Sequence, residues 1–230
     1  MLENKFNKIV SVEDAMKHIT DGITLMISGF GGVGASYRLC KEIEEKDVKD
    51  LTIISIDAGD PNLGPDHIIS SDGKCTKLIT SHIGATRGAM TRYLEGELEA
   101  EFVSQGILAE RIRVGGMGIA GFLSDIGIDT LYADGKPTVE IDGKTYLIEK
   151  ALHADVAIIF AQKADEYGNL VYSKTACGLN PHMARAADFT IVDTKEIVPF
   201  GDIDPQTIIT PGAYVDNIVK GGGDWKWAWE

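Results

Sequence analysis

Cysteine is scarce in this sequence, and the few cysteines lie far apart. The 230 residues include three, Cys40, Cys75 and Cys177, with no C-x-x-C pair and no histidine nearby at ligand spacing. A disulfide framework and a zinc site both need closely patterned ligands, so we expect neither. Low cysteine content is typical of proteins in a reducing cytosol, and we expect a cytoplasmic location.

Long apolar runs and an excess of basic residues are also missing. No stretch approaches the ~18 apolar residues of a membrane-spanning helix, and residues 1–10 lack the apolar core of a signal peptide. The formal net charge is −13, whereas binding to nucleic acid depends on clustered Lys and Arg. We therefore expect neither a membrane nor a nucleic acid among the partners of this protein.

The length of the chain suits one α/β domain. We expect a single domain over residues 1–220. Residues 221–230 consist of three glycines followed by a segment with three tryptophans. We expect this tail to be flexible; the alternative is that its tryptophans dock on a partner.

Short apolar runs alternate with segments of helical periodicity along most of the chain. The runs predict strands at residues 23–27, 51–56, 78–83 and 156–161, with shorter ones at 101–103, 189–193 and 208–209. Helices are predicted between them, among others at 36–45, 88–95 and 105–113. Asp142-Gly143, between alternating apolar residues, predicts a β-hairpin over 138–148. The pattern indicates an α/β fold, an open and mostly parallel sheet covered by helices, with a small β-hairpin excursion.

A glycine loop, residues 28–34, lies between the first predicted strand and the helix that follows it. It contains G-x-G-x-x-G at Gly29, Gly31 and Gly34, and Asp57 ends the next strand, as in a dinucleotide-binding fingerprint. Such a loop turns backbone N–H groups toward negative charge, and the start of the helix adds to that field. The anion could be a pyrophosphate, a carboxylate, or the oxyanion formed when a carboxylate attacks a thioester. The loop could also be a plain tight turn.

The same loop resembles the signature of the family I coenzyme A transferases, in their alpha subunits. That signature begins with Asp-Gly, continues through a short apolar strand and ends in G-G-F-x-x-x-G-x-P. This chain has Asp-Gly at 21–22, the apolar strand, Gly-Phe at 29–30 and Gly34 in register. It departs at Ser28, which replaces the first glycine, and at Ser36, which replaces the proline.

Further motifs extend the resemblance over roughly residues 9–219. They are S-H-I-G at 81–84, Q-G-I-L-A-E-R-I-R at 105–113, G-G-M-G-I at 115–119, A-D-E-Y-G-N at 164–169 and N-P at 180–181. Several motifs in the expected order are stronger evidence than any one of them. The resemblance therefore covers nearly the whole chain and implies a CoA-transferase-like fold.

The resemblance implies an enzyme that moves CoA between short-chain carboxylic acids such as acetate, butyrate or acetoacetate. In that family a glutamate attacks the acyl-CoA thioester and becomes a glutamyl-CoA thioester, from which a second acid takes the CoA. This ping-pong route uses CoA as a substrate and needs no metal or other cofactor. The glutamate belongs to the beta-type subunit, which implies a beta-type partner, an α2β2 assembly and no catalytic residue here. Glu166 matches E-x-G formally, and we interpret it as a surface turn residue.

On this chain the resemblance implies an oxyanion-binding loop that faces the partner's glutamate, formed by Gly29, Phe30, Gly31, Gly32 and Gly34. The candidate substrate-binding residues are Arg38, Ser81, His82, Gln105, Gly115, Gly116 and Gly118. Arg38 could pair with a substrate carboxylate or lie on a solvated helix face. Gln105 could bind the acid or acyl group, or only cap its helix. The last three glycines could shape a loop near the cleft or be purely structural.

Three other functions agree with parts of the sequence. A two-chain acyl-CoA hydrolase would use the same residues with water as the acceptor. A Rossmann-type NAD-binding protein would explain the glycine loop and Asp57 but none of the motifs after them. A non-catalytic sensor of CoA esters or sugar phosphates would bind its ligand without any partner.

Overall fold

The structure, a computed structural model, describes residues 4–221 of the chain. The helices in this range are α1 (Val12–Met16), α2 (Tyr37–Glu45), α3 (Asp66–Ile69), α4 (Arg87–Leu94), α5 (Gln105–Gly115) and α6 (Asn180–Ala186). The strands are β1 (Thr24–Ile27), β2 (Leu51–Ile54), β3 (Cys75–Thr80), β4 (Glu99–Phe102), β5 (Gly121–Ser124), β6 (Thr138–Ile141), β7 (Lys144–Lys150), β8 (Ala154–Asp165), β9 (Leu170–Val171), β10 (Ala187–Val198) and β11 (Asn217–Lys220). None of these helices is long and apolar enough to cross a bilayer.

The main sheet is parallel apart from one short strand, as predicted. Its order is β11-β10-β8-β1-β2-β3-β4, and β9 pairs antiparallel with β8. In β1, Leu25 and Ile27 pack into one apolar cluster while Met26 packs into the other, and all three side chains are fully buried. Because successive side chains of a strand point to opposite faces, this strand is covered on both sides. Helices α1 to α4 cover one face, and α5 and α6 cover the other.

A second sheet contains the predicted hairpin. Strands β6 and β7 are antiparallel, and Asp142 and Gly143 connect them with φ values of 51° and 75°. Two residues at positive φ are what a type I′ hairpin turn requires, and Asp-Gly is a preferred pair there. The sequence did not reveal that β5 joins this hairpin, in the order β5-β7-β6. The excursion is therefore a three-stranded sheet.

One of the strands predicted near the C-terminus was wrong, while the one predicted at 189–193 lies within β10. Residues 208–209 form an irregular segment in place of a strand, although the Ile209 N–H donates to the Leu170 carbonyl, at 3.0 Å. Within residues 4–221 the last strand is instead β11, where Ile218 and Val219 are buried against β10. Residues 222–230, which contain most of the predicted flexible tail, lie outside the described part of the chain.

Helix α2 is tied to β10 by a buried hydrogen bond between side chains. Ser36 caps the helix by accepting from the Leu39 N–H, and its hydroxyl donates to Oδ2 of Asp193, at 2.7 Å. Asp193 is 1% exposed, and burial raises the pKa of its carboxyl against the opposing effects of the Ser36 hydrogen bond and the Arg38 charge. The contact fixes the helix start directly after the glycine loop.

We expect Asp193→Asn to stabilise the fold at neutral pH. The amide still accepts from Ser36, and it removes the free-energy cost of ionising a buried carboxyl, whose raised pKa opposes folding as pH rises. The gain in the free energy of unfolding should be smallest near about pH 4 and grow toward about pH 8. Urea unfolding across this range measures it, with Asp188→Asn, an exposed aspartate on the same strand, as the control. A gain that is independent of pH would contradict the assignment.

Candidate active site

The glycine loop lies where the connections of the main sheet change direction. Strands β1 and β8 are parallel neighbours, but the chain leaves β1 toward β2 on one side and leaves β8 toward β10 on the other. In open parallel sheets, the crevice at the carboxyl ends of two such strands is where ligands bind. Residues 28–34 follow β1 directly, so this loop forms one wall of that crevice.

The loop itself is a tight turn that glycine makes possible. Phe30 and Val33 exchange two backbone hydrogen bonds of 3.0 Å, and Gly31 and Gly32 between them have φ values of 52° and 80°. These values lie in the left-handed region, which glycine occupies without steric strain. At Gly34, with φ 83°, a Cβ atom would lie 2.5 Å from the Ala176 carbonyl oxygen. The loop therefore packs against the turn Lys174–Cys177.

A buried asparagine holds the loop from the β8 side. Asn180 is fully buried; its Oδ1 accepts from the Phe160 N–H at 2.9 Å, and its Nδ2 donates to the carbonyl oxygens of Gly34 and Ala176 at 3.1 and 2.9 Å. The Ser28 hydroxyl lies 2.8 Å from the same Gly34 oxygen and 2.5 Å from Asn180 Oδ1. In the sequence, Asn180 stands out only as part of the N-P motif at 180–181. Its place at the start of α6, before a proline, was the available signal.

Asp57 holds the loop from the β2 side. One carboxylate oxygen accepts from the Gly31 N–H at 2.6 Å and the other from the Gly59 N–H at 2.8 Å. The side chain is 3% exposed. Its oxygens thus face the backbone of this chain, so Asp57 does not support the NAD-binding alternative, in which it would contact a ribose.

Three predicted site residues lie together beside the loop. Phe30 is 50% exposed, and its ring centroid lies 6.4 Å from that of His82. The Ser81 hydroxyl donates to the Ile56 carbonyl at 2.5 Å and lies 3.0 Å from Nδ1 of His82. Ser81 and His82 follow β3, at the same edge of the sheet as the loop. Phe30, Ser81 and His82 therefore line one surface.

The other predicted substrate-binding residues lie farther from the loop turn. Arg38 donates from Nη1 to the Lys220 carbonyl at 3.0 Å, so its guanidinium lies against the end of β11. Gln105 is exposed at the start of α5, after β4, and β4 is three strands away from β1. Both residues are at the carboxyl edge of the sheet. Their roles in substrate binding stay predictions.

The glycines of residues 115–118 lie at the opposite edge of the sheet. A Cβ atom on Gly115 would be 2.1 Å from the Leu152 carbonyl oxygen, and one on Gly116 would be 2.6 Å from Cβ of Arg185. Leu152 precedes β8, and Arg185 precedes β10, so both contacts are at the amino ends of strands. Helix α5 runs back across the sheet, and Gly118 follows it at φ 70°. The structure thus separates Gly115, Gly116 and Gly118 from the glycine loop of this chain.

Glu166 is not the surface turn residue that the sequence suggested. It is 3% exposed, and its carboxylate accepts from the backbone N–H groups of Asn4 and Phe200, each at 3.3 Å. A carboxylate buried and engaged in this way is badly placed to attack a thioester.

Near the loop, burial also raises the pKa of the Cys177 thiol, which disfavours the thiolate. No cluster of three or more potential metal ligands occurs within residues 4–221.

Comparison with known proteins agrees with this architecture. The model of the Coenzyme A transferase family matches residues 9–221. The chain is 47% identical to the "Probable coenzyme A transferase subunit alpha" of Bacillus subtilis (strain 168), over 98% of this chain and 99% of that protein. It is 41% identical to the acetate CoA-transferase subunit alpha of Escherichia coli (strain K12), over 92% of this chain and 96% of that protein.

A solved structure shows the same fold. An acyl-CoA transferase from E. coli O157:H7, solved as a thioester complex with CoA, superposes with a TM-score of 0.86 at 22% identity. The match covers 96% of this chain but 51% of that one. The family match over nearly the whole sequence and the identity to full-length relatives lead to one conclusion: this chain belongs to the coenzyme A transferase family.

Proposed function

We propose that this chain is the alpha subunit of a two-chain CoA transferase and provides the oxyanion-binding wall of a shared active site. The observation that carries the proposal is the rigid glycine loop at the carboxyl ends of β1 and β8. The N–H groups of Phe30, Gly31 and Val33 are used within the chain, whereas those of Gly32 and Gly34 donate to no acceptor among residues 4–221. Gly32 and Gly34 are buried residues, and backbone N–H groups in such positions rarely lack a partner, which favours an acceptor supplied by a substrate or a partner chain.

The chemistry needs a carboxylate that this loop does not contain. In the proposed reaction, a partner glutamate attacks the thioester carbonyl, and the oxyanion that forms accepts from the loop N–H groups. The CoA thiolate leaves, and an acyl-glutamyl anhydride remains. The thiolate then attacks the glutamyl carbonyl, which releases the first acid and leaves a glutamyl-CoA thioester. A second short-chain acid, such as acetate, butyrate or acetoacetate, reverses these steps and takes the CoA.

Two observations support a partner of the beta type. Asp57 and Glu166, two of the buried carboxylates, already accept backbone hydrogen bonds of this chain. The acyl-CoA transferase with the same fold is about twice as long as the part that this chain matches. We infer that a beta-type subunit occupies the place of the remaining half, in an α2β2 assembly that uses CoA as a substrate and no further cofactor.

Substitution of Gly34 should lower turnover through the geometry of the loop. In Gly34→Ala, the new Cβ must move the Ala176 carbonyl, because the two atoms would lie 2.5 Å apart. We expect kcat of the two-chain complex to fall by about 10²-fold or more, the usual effect of losing an oxyanion donor. Gly73→Ala is the matched control, because Gly73 has φ 70° but open space around its Cβ position. Equal turnover in both variants would exclude the loop from catalysis.

The covalent intermediate should form on the partner. After co-expression with the neighbouring reading frame, the complex is incubated with acyl-CoA and analysed by intact-mass and peptide mass spectrometry. We expect the mass of CoA on a glutamate of the partner, and no adduct on this chain, including its Glu166 peptide. Turnover by this chain alone, or a CoA adduct on it, would refute the proposed division of labour. Hydrolysis without transfer to any short acid would favour the acyl-CoA hydrolase.

A further inference from the structure

A small pocket opens next to the glycine loop, on its β10 side. Its volume is about 200 Å³, and it is lined by Gly34 of the loop, Gln162 and Lys195 of the extended strands β8 and β10, and residues 173–176. Binding sites for whole small molecules are typically about 300 Å³ or larger. The pocket therefore suits one functional group of a larger ligand, held beside the proposed site of reaction.

The charge of this pocket is opposite to that of the protein. The chain carries a net charge of −13, yet the ionisable side chains that line the pocket are Lys174 and Lys195. Both are exposed, and neither forms an ion pair with any residue in the described range 4–221. Two lysines that converge without a carboxylate between them favour an anionic ligand.

The backbone of Lys174 is strained. Its φ is 51°, in the left-handed region. The other non-glycine residues at positive φ within residues 4–221 are all asparagine or aspartate, which tolerate this conformation. A lysine at such a position is unusual, and residues held in unfavourable conformations cluster at functional sites. The strain is an observation independent of the charge.

The sheet register places Lys195 on the same side as the loop. In the β8–β10 pairing, Asp193 lies opposite Phe160 and Glu196 opposite Lys163, so Lys195 is opposite Gln162. Alternation along the strand puts Lys195 on the same face as Asp193. That face meets the start of α2, because Asp193 accepts from Ser36. Lys195 thus lies on the face of the sheet that meets the start of α2, directly after the glycine loop, and lines the pocket together with Gly34.

We propose that Lys174 and Lys195 form a subsite for an anionic oxygen group of a substrate, remote from its reacting carboxyl group. The inference rests on the proposed CoA transfer and adds to it a recognition element on this chain. The group is either the second carboxylate of a dicarboxylic acid or the 3′-phosphate of CoA, and both have the same chemistry: oxygens that accept charge-assisted hydrogen bonds from ammonium groups. The subsite would let this chain select its substrates.

The test uses Lys174→Asn and Lys195→Gln in the two-chain complex. Asparagine tolerates the left-handed backbone, so the first variant should melt no lower than the unmodified protein. Lys49→Asn, an exposed lysine before β2, controls for the change in net charge. We compare kcat/KM for succinate with that for butanoate, and for acyl-CoA with that for acyl-dephospho-CoA.

We expect each pocket variant, but not the control, to lower one of these two ratios by about tenfold or more. A fall in the succinate-to-butanoate ratio identifies the second carboxylate, and a fall in the ratio for the two CoA forms identifies a phosphate. Both ratios unchanged would overturn the proposal. Loss of the beta-type subunit from the variants would also overturn it, and would assign the lysines to an acidic surface of that partner.

Binding is measured separately, so that the subsite and the proposed function can fail independently. The unmodified complex and both variants are titrated calorimetrically with succinate and with inorganic phosphate. We expect binding of one of these anions that is weakened about tenfold or more in each variant. Absence of binding to the unmodified complex would refute the subsite even if CoA transfer is observed. Binding that depends on both lysines, without any transfer, would retain the subsite and refute the proposed function.

Discussion

The arrangement around the β1–β8 crevice depends on buried side chains that hold the glycine loop, whose one polar side chain is that of Ser28, in a single conformation. Asn180 does much of this from a fully buried position, because its amide bridges the backbone of β8, the glycine loop and the Lys174–Cys177 turn. Asp57 acts from the other side through the Gly31 N–H. Buried polar groups of this kind are stable only when their hydrogen bonds are made, so a loop conformation that breaks these contacts leaves a buried amide or carboxylate unsatisfied.

The two departures from the transferase signature have a physical explanation. Ser28, in place of glycine, is fully buried, and its hydroxyl lies within hydrogen-bonding distance of Gly34 and Asn180. Ser36, in place of proline, caps α2 and donates to Asp193. Each added hydroxyl finds a partner on the β8–β10 side of the crevice. The substitutions therefore add contacts between the loop region and the sheet, and the tight turn is preserved.

The side chains that hold the glycine loop are engaged within this chain, and the proposed active site therefore still needs a nucleophile from the partner. The carboxylates of Asp57 and Glu166 are buried and accept backbone hydrogen bonds, so they stabilise the fold of this chain. A nucleophile needs an oxygen that is free to approach a carbonyl, whereas the oxygens of these two carboxylates are engaged by backbone N–H groups. In the function proposed here, this chain supplies preorganised dipoles and charge while its partner supplies the reactive group. Phe30 and His82 are exposed beside the loop, so they offer a surface against which the proposed partner packs.

The sequence by itself determined the layered α/β architecture, the central strands, the hairpin and the position of the glycine loop. These features depend on local information: apolar runs bounded by turns, the Asp142-Gly143 pair, and glycines between a strand and a helix. Only the tertiary structure decided which residues meet. Asn180 lies 146 positions from the Gly34 carbonyl it binds, and Glu166 is buried by the distant Asn4 and Phe200 segments. The return of α5 to the amino edge likewise separates its glycines from the loop, because strand order and packing, which periodicity does not encode, set these distances.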